Sequence, residues 1–160
     1  MALYRWPSQT IYPTPGHAFA AEDRALAQAN GVLWLNDTRV ARQVAETIRA
    51  GESRKFYELS AWVVMPNHVH FLIRVGTVPL AKIVKELKRY TAREANKILR
   101  SKGGFWCEDY FDTYMRDAAH ELKTRRYIEN NPVQARLVCE PQAWPWSSAR
   151  FRDENGGLKL

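Results

Sequence analysis

The sequence predicts an α+β fold from two patterns: a β-hairpin between residues 56 and 75, and three segments with helical periodicity flanking it. A chain of 160 residues, 46% hydrophobic and 12% aromatic, is long enough for one well-buried core and short for two. One domain spanning 1–160 is therefore expected.

Residues 1–30 carry Pro7, Pro13, Pro15 and Gly16 among mixed aromatics, which predicts an irregular arm. Gly31-Val-Leu-Trp-Leu35 is an apolar run bounded by Gly and Asn-Asp, the pattern of a buried strand. A helix should follow, capped by Asn36 or Asp37, with Val40, Val44 and Ile48 on its inner face and Gly51 as a left-handed stop. Phe56 to Met65 is rich in β-formers and leads into the turn pair Pro66-Asn67. His68 to Val75 then returns as a second strand. Its period of two places Val69, Phe71, Ile73 and Val75 on a core face and His68, His70, Leu72 and Arg74 on the other.

The clearest helix runs from Ala81 to Lys102, where Ile83, Val84, Leu87, Thr91, Ala95 and Ile98 form one apolar stripe. Gly103-Gly104 should break it. Phe105 to Met115 is expected to be a loop entering a short aromatic strand. Asp117 then caps a helix over 118–130, which should end there because Pro132 biases Asn131 away from helical geometry. The tail over 141–160, with Trp144-Pro-Trp146, should pack back on the body.

Charge narrows the function. Twenty-four Lys and Arg against 17 Asp and Glu give a formal +7, which favours a polyanionic partner over an acidic small substrate. The segment 81–102 holds eight of those cations and only Glu86 and Glu94 as acids, so +6 sits on one helix. Lys82, Lys85, Arg89, Arg93, Lys97 and Arg100 line the stripe opposite the apolar one, a spacing suited to nucleic-acid phosphates. The competing explanation is a solvated helix face, although such a face usually mixes its signs. Cys107 and Cys139 have no Cys or His at metal-ligand spacing, which argues against a disulfide framework or zinc knuckle. No apolar stretch reaches membrane-spanning length and no leader opens the chain, so a cytoplasmic protein with no membrane partner is expected.

Two histidines one residue apart on a strand point the same way, and their imidazoles can address one metal ion. His68 and His70 are thus half of a metal site, or a pair of hydrogen-bonded surface histidines. Tyr127 on its helix is open to the same two explanations, packing or chemistry.

The string Ala61-Trp-Val-Val-Met-Pro-Asn-His-Val-His-Phe-Leu-Ile73 resembles the signature hairpin of the HUH single-tyrosine transposases. Further motifs follow in the same order: Leu87-Lys88 and Thr91-Ala92-Arg93, Phe105-Trp106, Tyr110-Phe111-Asp112 and Arg116-Asp117. Tyr127-Ile-Glu-Asn-Asn-Pro132 comes next, with Ala135, Leu137-Val138 and Trp146-Ser147-Ser148 behind it. Together they cover roughly residues 56–150, and the REP-associated tyrosine transposases are the most similar branch.

That resemblance implies a ferredoxin-like or RRM-like palm: a central antiparallel sheet of four or five strands, helices on one face and the histidines on the other. It implies His68, His70 and Asn131 as metal ligands, Asn131 standing where the insertion-sequence branch usually has glutamine. Residues four apart share a helix face, so the Tyr127–Asn131 spacing is physically sensible. It implies Tyr127 as nucleophile, forming a 5′-phosphotyrosine and a free 3′-hydroxyl during nicking and strand transfer. The implied cofactor is a divalent cation; two imidazoles and an amide oxygen suit Mn²⁺ by softness, and abundance favours Mg²⁺. The implied partner is single-stranded or hairpin DNA, at palindromic repeats, bound by a monomer or homodimer. The setting implied is the bacterial nucleoid. The N-terminal arm departs from the family, since Tyr12-Pro-Thr-Pro-Gly-His17 interrupts with prolines the strand that usually opens these proteins. Two rivals remain: a non-catalytic single-stranded nucleic-acid-binding protein on the same palm, and a metal-dependent nuclease with no covalent intermediate.

Overall fold

The computed structural model describes residues 33–107, 110 and 112–160. The expected N-terminal arm lies outside the described residues. Trp34–Asn36 forms a single 3₁₀ turn, followed by α1 (Thr38–Ser53), β1 (Tyr57–Val64), β2 (Val69–Val75), α2 (Leu80–Leu99) and α3 (Ala118–Gln134). The strands form an antiparallel hairpin in which Val63 faces His70 and Val64 faces Val69, with a register irregularity between Leu59 and Ala61.

The α+β class holds, and the hairpin lies between helical layers. On one face Leu59, Trp62, Val64, Val69, Phe71 and Ile73 join α1 and α2 residues such as Val40, Val44, Ile83 and Leu87 in the main core. Alternate residues of the same strands, Ala61, Val63 and Leu72, meet Ile128 of α3 on the other face. The pleat thus separates two apolar clusters. Two helices share one face as expected, and α3 lies across the face that carries His70.

Several local expectations are corrected. The strand expected at Gly31–Leu35 is not one where described: Leu35 is buried and Trp34 stacks on Phe105 with ring centroids 5.3 Å apart, within and beside a 3₁₀ turn. A short apolar run does not by itself distinguish a strand from a buried turn. Nor does the aromatic strand form at the described positions of 105–115. Two strands, not four or five, are therefore present among the described residues.

Asp37 caps α1, its carboxylate accepting from the Arg39 amide at 2.9 Å. Gly51, however, sits inside α1, and the positive φ falls on Lys55. Gly51 is required for clearance: an ideal Cβ there would lie 2.2 Å from the Tyr57 hydroxyl oxygen. Helix α2 closes at Leu99 with Arg100 left-handed (φ 51°), ahead of the Gly103-Gly104 pair. Helix α3 runs through Pro132 to Gln134. Proline here removes one amide donor near the helix end, while Ala135 still donates to the Asn131 carbonyl at 2.9 Å.

Candidate active site

His68 closes the hairpin turn, and His70 lies on β2 opposite Val63. Their side chains meet edge to face with ring centroids 4.8 Å apart. His68 is buried, at 1% exposure, whereas His70 is partly open. Within the turn, Nδ1 of His68 is 2.7 Å from Oδ1 of Asn67. An amide oxygen can only accept, so the imidazole donates from Nδ1, and in its neutral form the lone pair is on Nε2. That is the tautomer a metal-binding histidine needs, with the neighbouring amide holding the ring.

His70 opens into a cleft of about 620 Å³. β2 supplies one wall with Leu72 and Arg74, α3 another with Glu121, Thr124 and Ile128, and residues 112–117 with Tyr110, Leu80 and Val84 also line it. Ser60 on β1 donates to Glu121 across this cleft at 3.0 Å. Tyr110 carries the Lys88 ammonium 5.6 Å from its ring centroid, and Tyr114 is 84% exposed. The loop aromatics therefore divide: Phe105 is buried against Trp34, Trp106 donates to Thr91 of α2 at 2.8 Å, and Tyr110 and Tyr114 face the cleft.

Tyr127 and Asn131 occupy successive turns of α3, and Asn131 is buried at 3% exposure. Tyr127 is not among the residues lining the His70 cleft. It lines a second groove, of about 450 Å³, with Lys123, Arg126, Asn130, Gln134 and Gln142. The two openings use different faces of α3, with Thr124 and Ile128 on one and Lys123, Tyr127 and Gln134 on the other. Of the three cations near Tyr127 in sequence, Lys123 and Arg126 share its groove and Arg125 does not.

Among the described residues no group of three His, Cys, Asp or Glu side chains gathers around one point. A cation at His68 and His70 would need an amide to complete its protein ligands. Helix α2 exposes Lys82, Lys85, Arg89, Arg93 and Lys97 on the side away from its buried stripe, and Arg100, expected to continue that row, is exposed just past the helix end in left-handed geometry. The stripe is not purely cationic: Glu86 pairs with Arg89 at 2.6 Å, and Glu94 with Arg93 at 2.8 Å and Lys97 at 3.0 Å. No helix among the described residues is long and apolar enough to cross a membrane.

Sequence reasoning missed the polar set that fastens α3 to the rest of the chain. Glu129, buried on α3, accepts from Ser148 at 2.5 Å and pairs with Arg152 at 2.6 Å. Spacings of 19 and 23 residues carry no periodic signal, so although Glu129 and Ser148 fall within motifs of the family resemblance, nothing in the sequence pairs them.

A sequence model described as IS200-like transposase matches residues 32–131. No curated protein matches the chain significantly. A solved structure of a REP-associated tyrosine transposase bound to a REP hairpin is similar over 83% of this chain and 87% of its own, with a TM-score of 0.58 and 20% identity. At that identity the likeness establishes a shared fold.

Proposed function

The chain belongs to the IS200-like transposase family, and from that premise we propose that it nicks and rejoins single-stranded DNA through a covalent Tyr127 intermediate. The substrate is DNA that folds into a hairpin, as in the complex of the structurally similar REP-associated enzyme. The observation that carries the chemistry is the paired imidazoles of His68 and His70, 4.8 Å apart, one of them held in the tautomer that leaves Nε2 able to bind a cation.

In this proposal His68, His70 and Asn131 are the protein ligands. A divalent cation held there, Mg²⁺ or Mn²⁺, would polarise the scissile phosphate and offset charge developing in the transition state. Tyr127 is the nucleophile. A phenol ionises only near pH 10 on its own, and Lys123 and Arg126 in the same groove favour its phenolate. The phenolate oxygen bonds to phosphorus, the bond from phosphorus to the 3′ oxygen breaks, and that oxygen takes up a proton to become a 3′-hydroxyl. The 5′-phosphotyrosine conserves the phosphodiester energy. A second 3′-hydroxyl can then displace Tyr127 and rejoin DNA without a nucleotide cofactor. Lys82, Lys85, Arg89, Arg93, Lys97 and Arg100 hold the DNA backbone. The protein works as a monomer or homodimer, in the bacterial nucleoid.

The test uses a hairpin oligonucleotide labelled at its 3′ end and incubated with the protein, with and without EDTA. Label that remains attached to denatured protein only when metal is present is the expected result. Cleavage without attached label would favour a simple nuclease, and binding without cleavage a non-catalytic nucleic-acid-binding protein.

A further inference from the structure

Five polar groups from three separate segments converge at the wall of the Tyr127 groove, which Glu129 and Arg152 line together with Tyr127. Glu129 stands two residues after Tyr127 and two before Asn131, with its side chain 12% exposed. Its Oε1 accepts from the Ser148 hydroxyl at 2.5 Å and from Nε of Arg152 at 2.8 Å. The Arg152 guanidinium, 13% exposed, also donates to the Ser60 carbonyl. Ser148 in turn accepts from the Trp62 amide at 3.1 Å.

Ser60 lies inside the β1 register irregularity and has no register partner on β2, and Trp62 follows just beyond it opposite Phe71. The same strand holds His70 opposite Val63. One buried carboxylate thus links the helix carrying Tyr127 and Asn131 to the hairpin carrying the histidines. A planar guanidinium fork fixes both distance and angle in a way a point charge does not.

We infer that Glu129 and Arg152 are positioning residues, which set the orientation of the Tyr127 helix relative to the histidine hairpin. This rests on Tyr127 being the nucleophile. In this role they act through α3 by orienting it, not by holding DNA. Reaction geometry is sensitive at this scale: a misplacement of about 1 Å can cost about 100-fold in rate.

The informative variant is the neutral pair Glu129→Gln with Arg152→Met, which conserves side-chain size and leaves no unpaired buried charge, so the chain should fold. Arg152→Lys is the companion, retaining the charge and losing the fork. Three quantities are measured on the full chain: hairpin-DNA affinity in EDTA, the single-turnover rate of adduct formation at saturating DNA, and amide exchange across residues 127–131. Affinity should stay within about twofold, as expected where no interface contact is lost, while the rate falls at least about tenfold in both variants. Exchange should rise in 127–131 relative to α1 and β1. Restoring Arg152 and Glu129 together should recover both.

A folded neutral pair that forms adduct at the unaltered rate overturns the inference, as does unaltered exchange in 127–131. A loss of DNA affinity matching the loss of rate would assign the pair to binding instead, and also overturns it. If the unmodified protein forms no adduct, the transposase proposal fails on that result, and the exchange measurement alone decides whether the pair holds the helix.

Discussion

Nδ1 of His68 and Oδ1 of Asn67 lie 2.7 Å apart, joining consecutive residues at the hairpin turn. Asn67 therefore fixes which imidazole nitrogen carries the proton, a function separate from its part in the turn. Replacing such an outer partner typically costs about 10–100-fold in metal affinity. Asn67→Ala should weaken Mn²⁺ binding within that range, measured by electron paramagnetic resonance of the free ion, and Asn67→Asp, which keeps the acceptor, should recover most of it. Equal Mn²⁺ affinity in Asn67→Ala would remove the amide from the site.

The stripe on α2 should make DNA binding depend steeply on salt. Each phosphate contact contributes about 0.7–0.9 to the slope of log affinity against log salt concentration. Arg89→Glu with Arg93→Glu should flatten that slope by roughly 1.4–1.8 if each arginine makes one contact, and weaken all sequences alike. Glu86 and Glu94 already engage these side chains, but the pairs are solvent-exposed and exchange readily for phosphate. A slope unchanged by the double reversal would place the DNA path elsewhere.

Tyr57 gives a pH prediction independent of function. Its buried hydroxyl donates to the Ile48 carbonyl at 2.7 Å, and burial, reinforced by Glu52, holds its pKa well above the ordinary phenol range. The folded chain therefore keeps Tyr57 protonated where the unfolded chain ionises, near pH 10. Its contribution is complete below that pH and is lost as pH rises beyond it. Tyr57→Phe should cost about 1 kcal/mol at neutral pH. Urea unfolding should show that difference shrinking above about pH 10, where only the parent chain loses the tyrosine contribution. A constant difference from pH 7 to about 11 would contradict the assignment.

The hairpin, the inner faces of the helices and the adjacency of His68 and His70 were legible because each rests on local periodicity. Alternation put Val69, Phe71 and Ile73 in the main core and Leu72 opposite, as the strand pattern requires. Where a residue's place is set by a distant partner, the sequence was silent or misleading. Gly51 resembles a helix stop until the Tyr57 ring is seen against it. Pro132 resembles a helix end, although α3 continues through it to Gln134 and gives up one backbone hydrogen bond near its C-terminus. The aromatic run from Phe105 resembles a strand, whereas Phe105 is committed to Trp34 and Trp106 to Thr91. The Glu129 anchor depends on residues 19 and 23 positions away, and no periodicity pairs them.

Tyr110, Tyr114 and Tyr127 all follow the histidine motif, and the structure sharpens the choice among them. Tyr110 and Tyr114 line the cleft that His70 opens into, while Tyr127 lines the neighbouring groove on another face of α3, four residues before buried Asn131. Proximity to the cleft favours the first two; the helix spacing and the cations Lys123 and Arg126 favour Tyr127. The most direct test is to trap the protein–DNA adduct on hairpin DNA, digest it and map the modified peptide. The account predicts attachment at Tyr127, loss of adduct in Tyr127→Phe with DNA affinity retained, and adduct still formed by Tyr110→Phe and Tyr114→Phe. Attachment at Tyr110 or Tyr114, or undiminished cleavage by Tyr127→Phe, would contradict it.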